Sequence, residues 1–581
     1  MELEVTNDHA FANAGTGGRL DSVQPASGLP AFWVQAAGLI ALCLTLNLVG
    51  NGRMSLWDRD EPRYAGCARE MRTSGDFVHP MFNAEPRYHK PILTYWLMQV
   101  GVLLAGDNPF GNRLISALAG MGTCLIVWSL GRRMLGERAG LIAAGVLATS
   151  LMMVAESKLA TTDSILFFFM ALAWLALWQL KQADSARWAF IFWVSFAMAV
   201  LTKGPVAPLF LAAAAGVERF WTGPSPAWRR LRWRWGVPLF VVLAAPWYVA
   251  IGIISKGQFY EVAMGRHVIH RMTTDMETHG GFPGFYVAGT LIGLFPWSAF
   301  LPAALWHAWK QRRTARGIGF AVGWWLGPLI VLEIIRTKLI HYFLPATAGA
   351  ALLVAWFLEE VALSESNLRR WSLGRLSLAI ATGGGLVVAV AALASASIAP
   401  AGLRWPLVVL GCVIGMGTIA ATEPLLRAAT RRGVYALAAT SALSMAILGG
   451  WLLPACEPYR LTPLVATGLK RLCAEEHAKP ILASYQPPGV VYNFGEPIAV
   501  RQDQAWLHDF VAQHGAVAAA LTPAETRGLM KDRALQVNVK GTVSGLNIER
   551  GRDETLNLVV LRTREPSENR VGVAPNEAQR R

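Results

Sequence analysis

Charge is scarce in this chain: Asp, Glu, Lys and Arg make up 16% of its 581 residues, against about a quarter in ordinary soluble proteins. A soluble protein of this length needs several separate cores and the polar surface to cover them. With 54% hydrophobic residues and a mean hydropathy of +0.36, the bilayer is the main solvent instead. The sequence also lacks a metal-type cysteine pair and a nucleotide-binding glycine motif. Of its six cysteines, Cys43, Cys124 and Cys412 fall in apolar stretches and Cys67, Cys456 and Cys473 outside them, which leaves a Cys456–Cys473 disulfide open. Residues 1–30 have no basic start leading into a short apolar run and a small-residue cleavage site, so they read as a disordered tail and not a signal peptide. The net charge of +15 is broken into short clusters between apolar stretches. It forms no single basic domain, which argues against a nucleic acid partner.

What is abundant is long apolar runs. Segments long enough for a bilayer fall near 32–50, 112–131, 137–155, 163–180, 187–202, 204–221, 236–254, 284–305, 318–335, 341–358, 375–397, 403–422 and 433–453, thirteen in all. The basic clusters Arg132 and Arg133, Lys181 to Arg187, Arg219 to Arg234, Lys310 to Arg316, Arg369 to Arg375 and Arg427 to Arg432 occupy alternate loops. Placing them in the cytoplasm puts the N-terminus inside, and residues 51–111, 255–283 and everything from Pro454 onward outside. The expected location is a bacterial inner membrane with a periplasmic C-terminal domain. Pro91 to Ala105 is apolar but short; counted as a span, it would move the basic loops to the wrong side, so it reads as an interfacial helix. Residues 62–72 make a second one, with Tyr64, Cys67, Ala68 and Met71 on one face and Pro62 in its first turn.

After Trp451 the pattern changes. Pro480 to Ser484, Gly489 to Phe494, Ala516 to Leu521, Gln536 to Val539 and Leu556 to Leu561 read as strands, and Thr462 to His477 and Asp503 to His514 as helices. The expected organisation is a helical polytopic membrane domain over 31–453, a soluble α/β domain over 454–562, and a disordered tail over 563–581.

The first external loop breaks the positive-inside tendency: Arg53, Arg59, Arg63, Arg69, Arg72, Arg87 and Lys90 interleave with Asp58, Asp60, Glu61, Glu70, Asp76 and Glu85. Cations and carboxylates held at a membrane surface suit an enzyme acting on a lipid phosphate, where the cations meet the phosphate and a carboxylate moves a proton. Asp60 and Glu61 head the 62–72 helix and Asp163 opens the run to Trp178, so capping is the structural alternative for each. Lys90 also reads as a snorkelling anchor. The 255–283 loop carries Lys256, Arg266, His267, His270, Arg271, Asp275, Glu277 and His279, and His267, His270 and His279 are the metal candidates there, without HExxH-like spacing. Arg336, Lys338, His341 and Tyr342 crowd the external end of two spans.

Four stretches carry a family resemblance: Asp58 to Glu70 (DRDEPRYAGCARE), His89 to Trp96 (HKPILTYW), the segment around Asp163, and Thr337 to Pro345 (TKLIHYFLP). They resemble the bacterial aminoarabinose lipid A transferases (ArnT), themselves similar to protein O-mannosyltransferases within the GT-C glycosyltransferase superfamily. The resemblance implies inverting transfer of a sugar from a polyprenyl-phosphate donor to lipid A or another envelope acceptor, with membrane lipids around it and no nucleotide sugar. It implies Asp60 and Asp163 as the catalytic carboxylates, and Arg63, Tyr64, Lys90, Arg266, His270, Lys338 and Tyr342 around the donor phosphate. No cofactor is required, and a divalent cation at His89, His267 or His270 is left open. The chain departs from the family pattern at His89, where that pattern has Glu, so a neutral hexose or a uronic acid stays open beside aminoarabinose. Transfer to a periplasmic protein is the nearest alternative within the class. A lipid-linked saccharide flippase, the rival from another class, would place its ionisable residues at mid-membrane; here they gather at the outer ends.

Overall fold

The computed structural model describes residues 29–263, 265, 281–315, 317–363, 372–427 and 429–564. Nearly all of the tails expected at 1–30 and 563–581, and most of the 255–283 loop including Arg266, His267, His270 and His279, lie outside them.

Each of the thirteen apolar segments is helical, as its composition requires, but not each is a straight span. Among the described residues, nine helices are long and apolar enough to cross a membrane, or eleven if each of two bent pairs is one span. Glu137–Ala148 and Leu151–Ser157 meet at 62°, where the Ser150 hydroxyl accepts the Met153 N–H and so starts a new helix. Phe285–Gly293 and Trp297–Lys310 meet at 118° around Pro296. Val206–Thr222 and Ile318–Ile334 have 17 residues each, about 25 Å of helix against a hydrocarbon core of about 30 Å. Among the described residues the apolar segments thus form a bundle of long, bent and short helices.

The two interfacial helices form as their patterns predict. Glu61–Ser74 has proline in its first turn and ends at Gly75, whose φ of 75° suits glycine and whose N–H donates to the Met71 carbonyl. Its buried face is Tyr64, Cys67, Ala68 and Met71, packed with Tyr95 and Met98 of the Leu93–Ala105 helix and with Trp247, Ile251 and Phe259. This apolar platform lies over the ends of the span helices.

In the C-terminal domain, five strands lie in the order Ala499–Val500, Lys479–Leu482, Ala516–Leu521, Arg552–Thr563 and Leu535–Asn547. Lys479–Leu482 runs parallel to both of its neighbours, and the remaining pairs are antiparallel. Ala516–Leu521 is buried along its whole length between two apolar clusters, one on each face of the sheet. The strand expected at Gly489 to Phe494 is instead the helix Pro488–Phe494. Pro488 fits its first turn and Gly495, at a φ of 93°, ends it. Cys456 and Cys473 are both free thiols.

Candidate active site

Asp163–Gln182 and Ala186–Lys203 are consecutive helices joined by a three-residue turn, so the first residue of one and the last of the other reach the same end of the bundle. There the Lys203 ammonium donates to the Asp163 carboxylate at 2.5 Å, and both side chains are buried. Thr162 Oγ1 donates to the other Asp163 oxygen at 3.2 Å. The carboxylate thus answers a cation and caps no helix. Lys203 Nζ also stands 4.2 Å from the centroid of the Tyr342 ring.

Across from this pair, Asp60 precedes the Glu61–Ser74 helix without capping it with its side chain. Its side chain is 53% exposed, with Arg63 at 3.8 Å. Burial and, next, the guanidinium of Arg87 lower the Arg63 pKa from its usual value. Two cations of the first loop, Arg63 and Arg87, therefore stand close together in the structure.

Glu61 has the role that a cap-and-dipole reading misses. Its buried carboxylate accepts the Trp57 N–H at 2.7 Å and the Ala160 N–H at 2.6 Å, and it takes both Nε and Nη2 of Arg113 at 2.8 and 2.6 Å. Arg113, fully buried, also donates to the carbonyls of Asn51, Met54 and Ser55. One ion pair thereby fixes the loop that delivers Asp60 and the turn that delivers Asp163. From the other side, Arg460 of the C-terminal domain donates to Ser55 O at 3.1 Å and Leu56 O at 2.9 Å, and its guanidinium carbon lies 4.6 Å from the Trp57 ring centroid.

These elements enclose a cleft of about 390 Å³. Asp60, Asp163, Arg63, Tyr64, Lys90, Tyr342 and His89 line it together, joined by Arg87, Glu156, Lys203 and His341. Lys338 does not line it: its ammonium donates to Glu333 Oε2 at 2.9 Å and to the Glu333 carbonyl at 3.0 Å, while its neighbours Thr337, Leu339, His341 and Tyr342 face the cleft. The Lys338 ammonium is thus taken up by a local ion pair with Glu333 and not by the cleft. Arg266 and His270 lie outside the described residues. Among the described residues, no group of three or more His, Cys, Asp and Glu side chains is arranged to hold a metal. Sequence reasoning missed Lys203 and Glu156, and marked Arg87 only as one of the cations of the first loop. A lysine closing an apolar run reads as an anchor, and its partner is 40 positions away.

The architecture, a multi-span helical bundle with the short helices Glu61–Ser74 and Leu93–Ala105 packed on it, a cleft lined in part by the first of them and a small α/β domain, is the GT-C fold of membrane glycosyltransferases. It matches the crystal structure of ArnT from Cupriavidus metallidurans bound to undecaprenyl phosphate with a TM-score of 0.71 at 21% identity, over 91% of this chain and 98% of that one. Residues 89–249 match the dolichyl-phosphate-mannose-protein mannosyltransferase family. The undecaprenyl phosphate-alpha-4-amino-4-deoxy-L-arabinose arabinosyl transferase of Pectobacterium atrosepticum is 30% identical over 441 residues, 72% of this chain and 75% of that protein. The chain belongs to this arabinosyl transferase family. The relative of the same name from Edwardsiella ictaluri is 31% identical over 365 residues, and the match spans 64% of its length.

Proposed function

We propose that the chain is an inverting glycosyltransferase that moves a sugar from a polyprenyl-phosphate donor to lipid A or another envelope acceptor. The observation that carries this reading is the cleft itself, where Asp60 stands beside Arg63, Lys90 lines the same wall, and Tyr64 joins the lining to an apolar cluster. A polyprenyl chain lies in the bilayer while its phosphate stays at the surface, so charged groups at that depth suit such a donor. The family's relatives are named for an undecaprenyl-phosphate sugar, which fits the same chemistry.

In the step proposed, an acceptor oxygen attacks the anomeric carbon from the face opposite the phosphate. The bond from that carbon to the phosphate oxygen breaks, and polyprenyl phosphate leaves with the electron pair. Its oxygen gains charge in the transition state, so Arg63 and Lys90 stabilise that state more than the ground state. A hydroxyl acceptor passes its proton to Asp60; a phosphate acceptor is already anionic, and Asp60 then orients it. Asp163, held by Lys203, fixes the opposite wall.

The proposed orientation puts this cleft and the C-terminal domain on the periplasmic side of a bacterial inner membrane and the N-terminus inside. In support, Lys181 pairs with Glu218, and Arg230 donates to the Leu180 and Lys181 carbonyls, at the helix ends opposite Asp163 and Lys203. The mannosyltransferase match over 89–249 favours a protein acceptor as the second reading.

Purified protein in liposomes, given undecaprenyl-phosphate-linked aminoarabinose and lipid A, should release undecaprenyl phosphate and yield modified lipid A by mass spectrometry. Asp60→Asn should remove this turnover while the protein still folds, since the change keeps shape and removes charge. Wild-type rates in the folded variant would reject the role of Asp60. Wild-type protein inactive with lipid A but active on a periplasmic protein would favour the second reading.

A further inference from the structure

Arg87 lines the cleft as a buried cation, 8% exposed. Among the described residues no carboxylate forms a salt bridge with it, and its Nε is buried without a hydrogen-bond partner. Its backbone N–H donates to the Pro80 carbonyl at 2.8 Å, which fixes where the side chain starts. The guanidinium carbon lies 5.3 Å from the Tyr64 ring centroid, and an aromatic face answers only part of a full charge. The buried Tyr95 hydroxyl adjoins the Arg87 guanidinium, but no hydrogen bond of normal geometry joins them, and a neutral phenol brings no counter-charge. Asp60 acts on Arg87 through space only.

A charge in such a wall is costly unless a counter-charge joins it. Arg63 stands close by, near enough for the Arg87 guanidinium to disfavour its charge. An oxyanion entering between them would relieve both. The planar fork of arginine matches the paired oxygens of a phosphate or a carboxylate. We infer that Arg87 and Arg63 form an oxyanion subsite in the cleft, which grips a phosphate or carboxylate group of the substrate. The inference rests on the glycosyl-transfer reading above and deepens it. The group comes either from the donor's phosphate or from an acidic sugar, and His89 beside it leaves room for the latter.

The full chain in detergent can be titrated by tryptophan fluorescence, with Trp57 in the cleft wall. The probes are undecaprenyl phosphate, undecaprenol as its neutral control, and octyl glucuronide against octyl glucoside. Arg87→Gln should weaken an anionic probe on the order of 10- to 100-fold, the size of a lost charge-assisted contact, and leave undecaprenol binding unchanged. Loss confined to undecaprenyl phosphate assigns the subsite to the donor phosphate; loss confined to the glucuronide assigns it to a sugar carboxylate. Arg87→Gln binding both anionic probes like wild type overturns the inference while leaving the transfer reading intact. If Arg87→Gln also loses undecaprenol, Arg87→Lys decides, since it keeps the charge and removes the fork: binding weakened about tenfold supports the subsite, and wild-type binding overturns it. Wild-type protein that binds neither anionic probe overturns both the inference and the reading beneath it.

Discussion

The Gly489 N–H donates to the Asp58 carboxylate at 2.7 Å, joining the C-terminal domain to the loop that carries Asp60 across 431 positions of sequence. A Cβ on Gly489 would strike that same Asp58 oxygen and come within 2.7 Å of Thr462 Cγ2. The neighbouring contacts repeat the pattern. Asn83 and Ile498 exchange hydrogen bonds at 3.0 and 2.7 Å, and Arg69 donates to the Tyr492 carbonyl at 2.6 Å. The soluble domain is thus a brace for the cleft's outer wall.

Gly489→Ala should therefore act at a distance. The added methyl pushes Asp58 away and shifts Asp60 with it, although Gly489 is not itself part of the cleft lining. Turnover should fall on the order of 10- to 100-fold, as expected for a misplacement of about an ångström, with binding of undecaprenyl phosphate little changed. Turnover equal to wild type would mean that the Asp60 loop holds its position without this contact.

The Glu61–Arg113 pair should dominate the stability of the same wall. Both side chains are buried, and every Arg113 nitrogen has a partner. Removing one member leaves the other charged and alone, at a cost of about 3–5 kcal/mol. Glu61→Gln and Arg113→Met should each lower the thermal midpoint in detergent. The double variant should lose less than the sum of the two, because the stranded charge is gone. Strict additivity would show that the two groups act independently.

Much of this organisation was legible in sequence because it follows from local periodicity. The apolar runs, the face of the Glu61–Ser74 helix, the short interfacial helix after Pro91 and the strand Ala516–Leu521 each depend on residues a few positions apart. The cleft was legible in part: Asp60, Arg63 and Lys90 were marked by their charge against the positive-inside tendency. What stayed hidden were contacts between distant segments. Nothing near Glu61 shows that Arg113 and Ala160 meet at its carboxylate, and nothing near Lys203 shows Asp163. Gly489 to Phe494 failed for a different reason, since Val490, Val491 and Tyr492 have strand propensity, but Pro488 and Gly495 bound a single helical turn or two. Lys338 failed because a motif fixes residues and not the directions of their side chains.

Asp58 gives a prediction in pH. Burial raises its pKa from the usual aspartate value, against the lowering effects of the Thr462 hydroxyl, the Gly489 N–H and the Arg460 and Arg63 charges. A carboxyl whose pKa is higher folded than unfolded favours the native state while protonated, and that contribution is lost as pH rises from the unfolded pKa through the folded one. Asp58→Asn keeps an oxygen to accept the Gly489 N–H and cannot ionise. Its thermal midpoint relative to wild type should therefore rise as pH is taken from about 4, near the unfolded aspartate pKa, to neutrality. At the acid end, where both side chains are uncharged, the two proteins should converge. Thermal unfolding in detergent across that range reads the difference directly. A gap that narrows toward neutral pH would mean that Arg460 and Arg63 outweigh burial and that Asp58 holds its wall as a carboxylate.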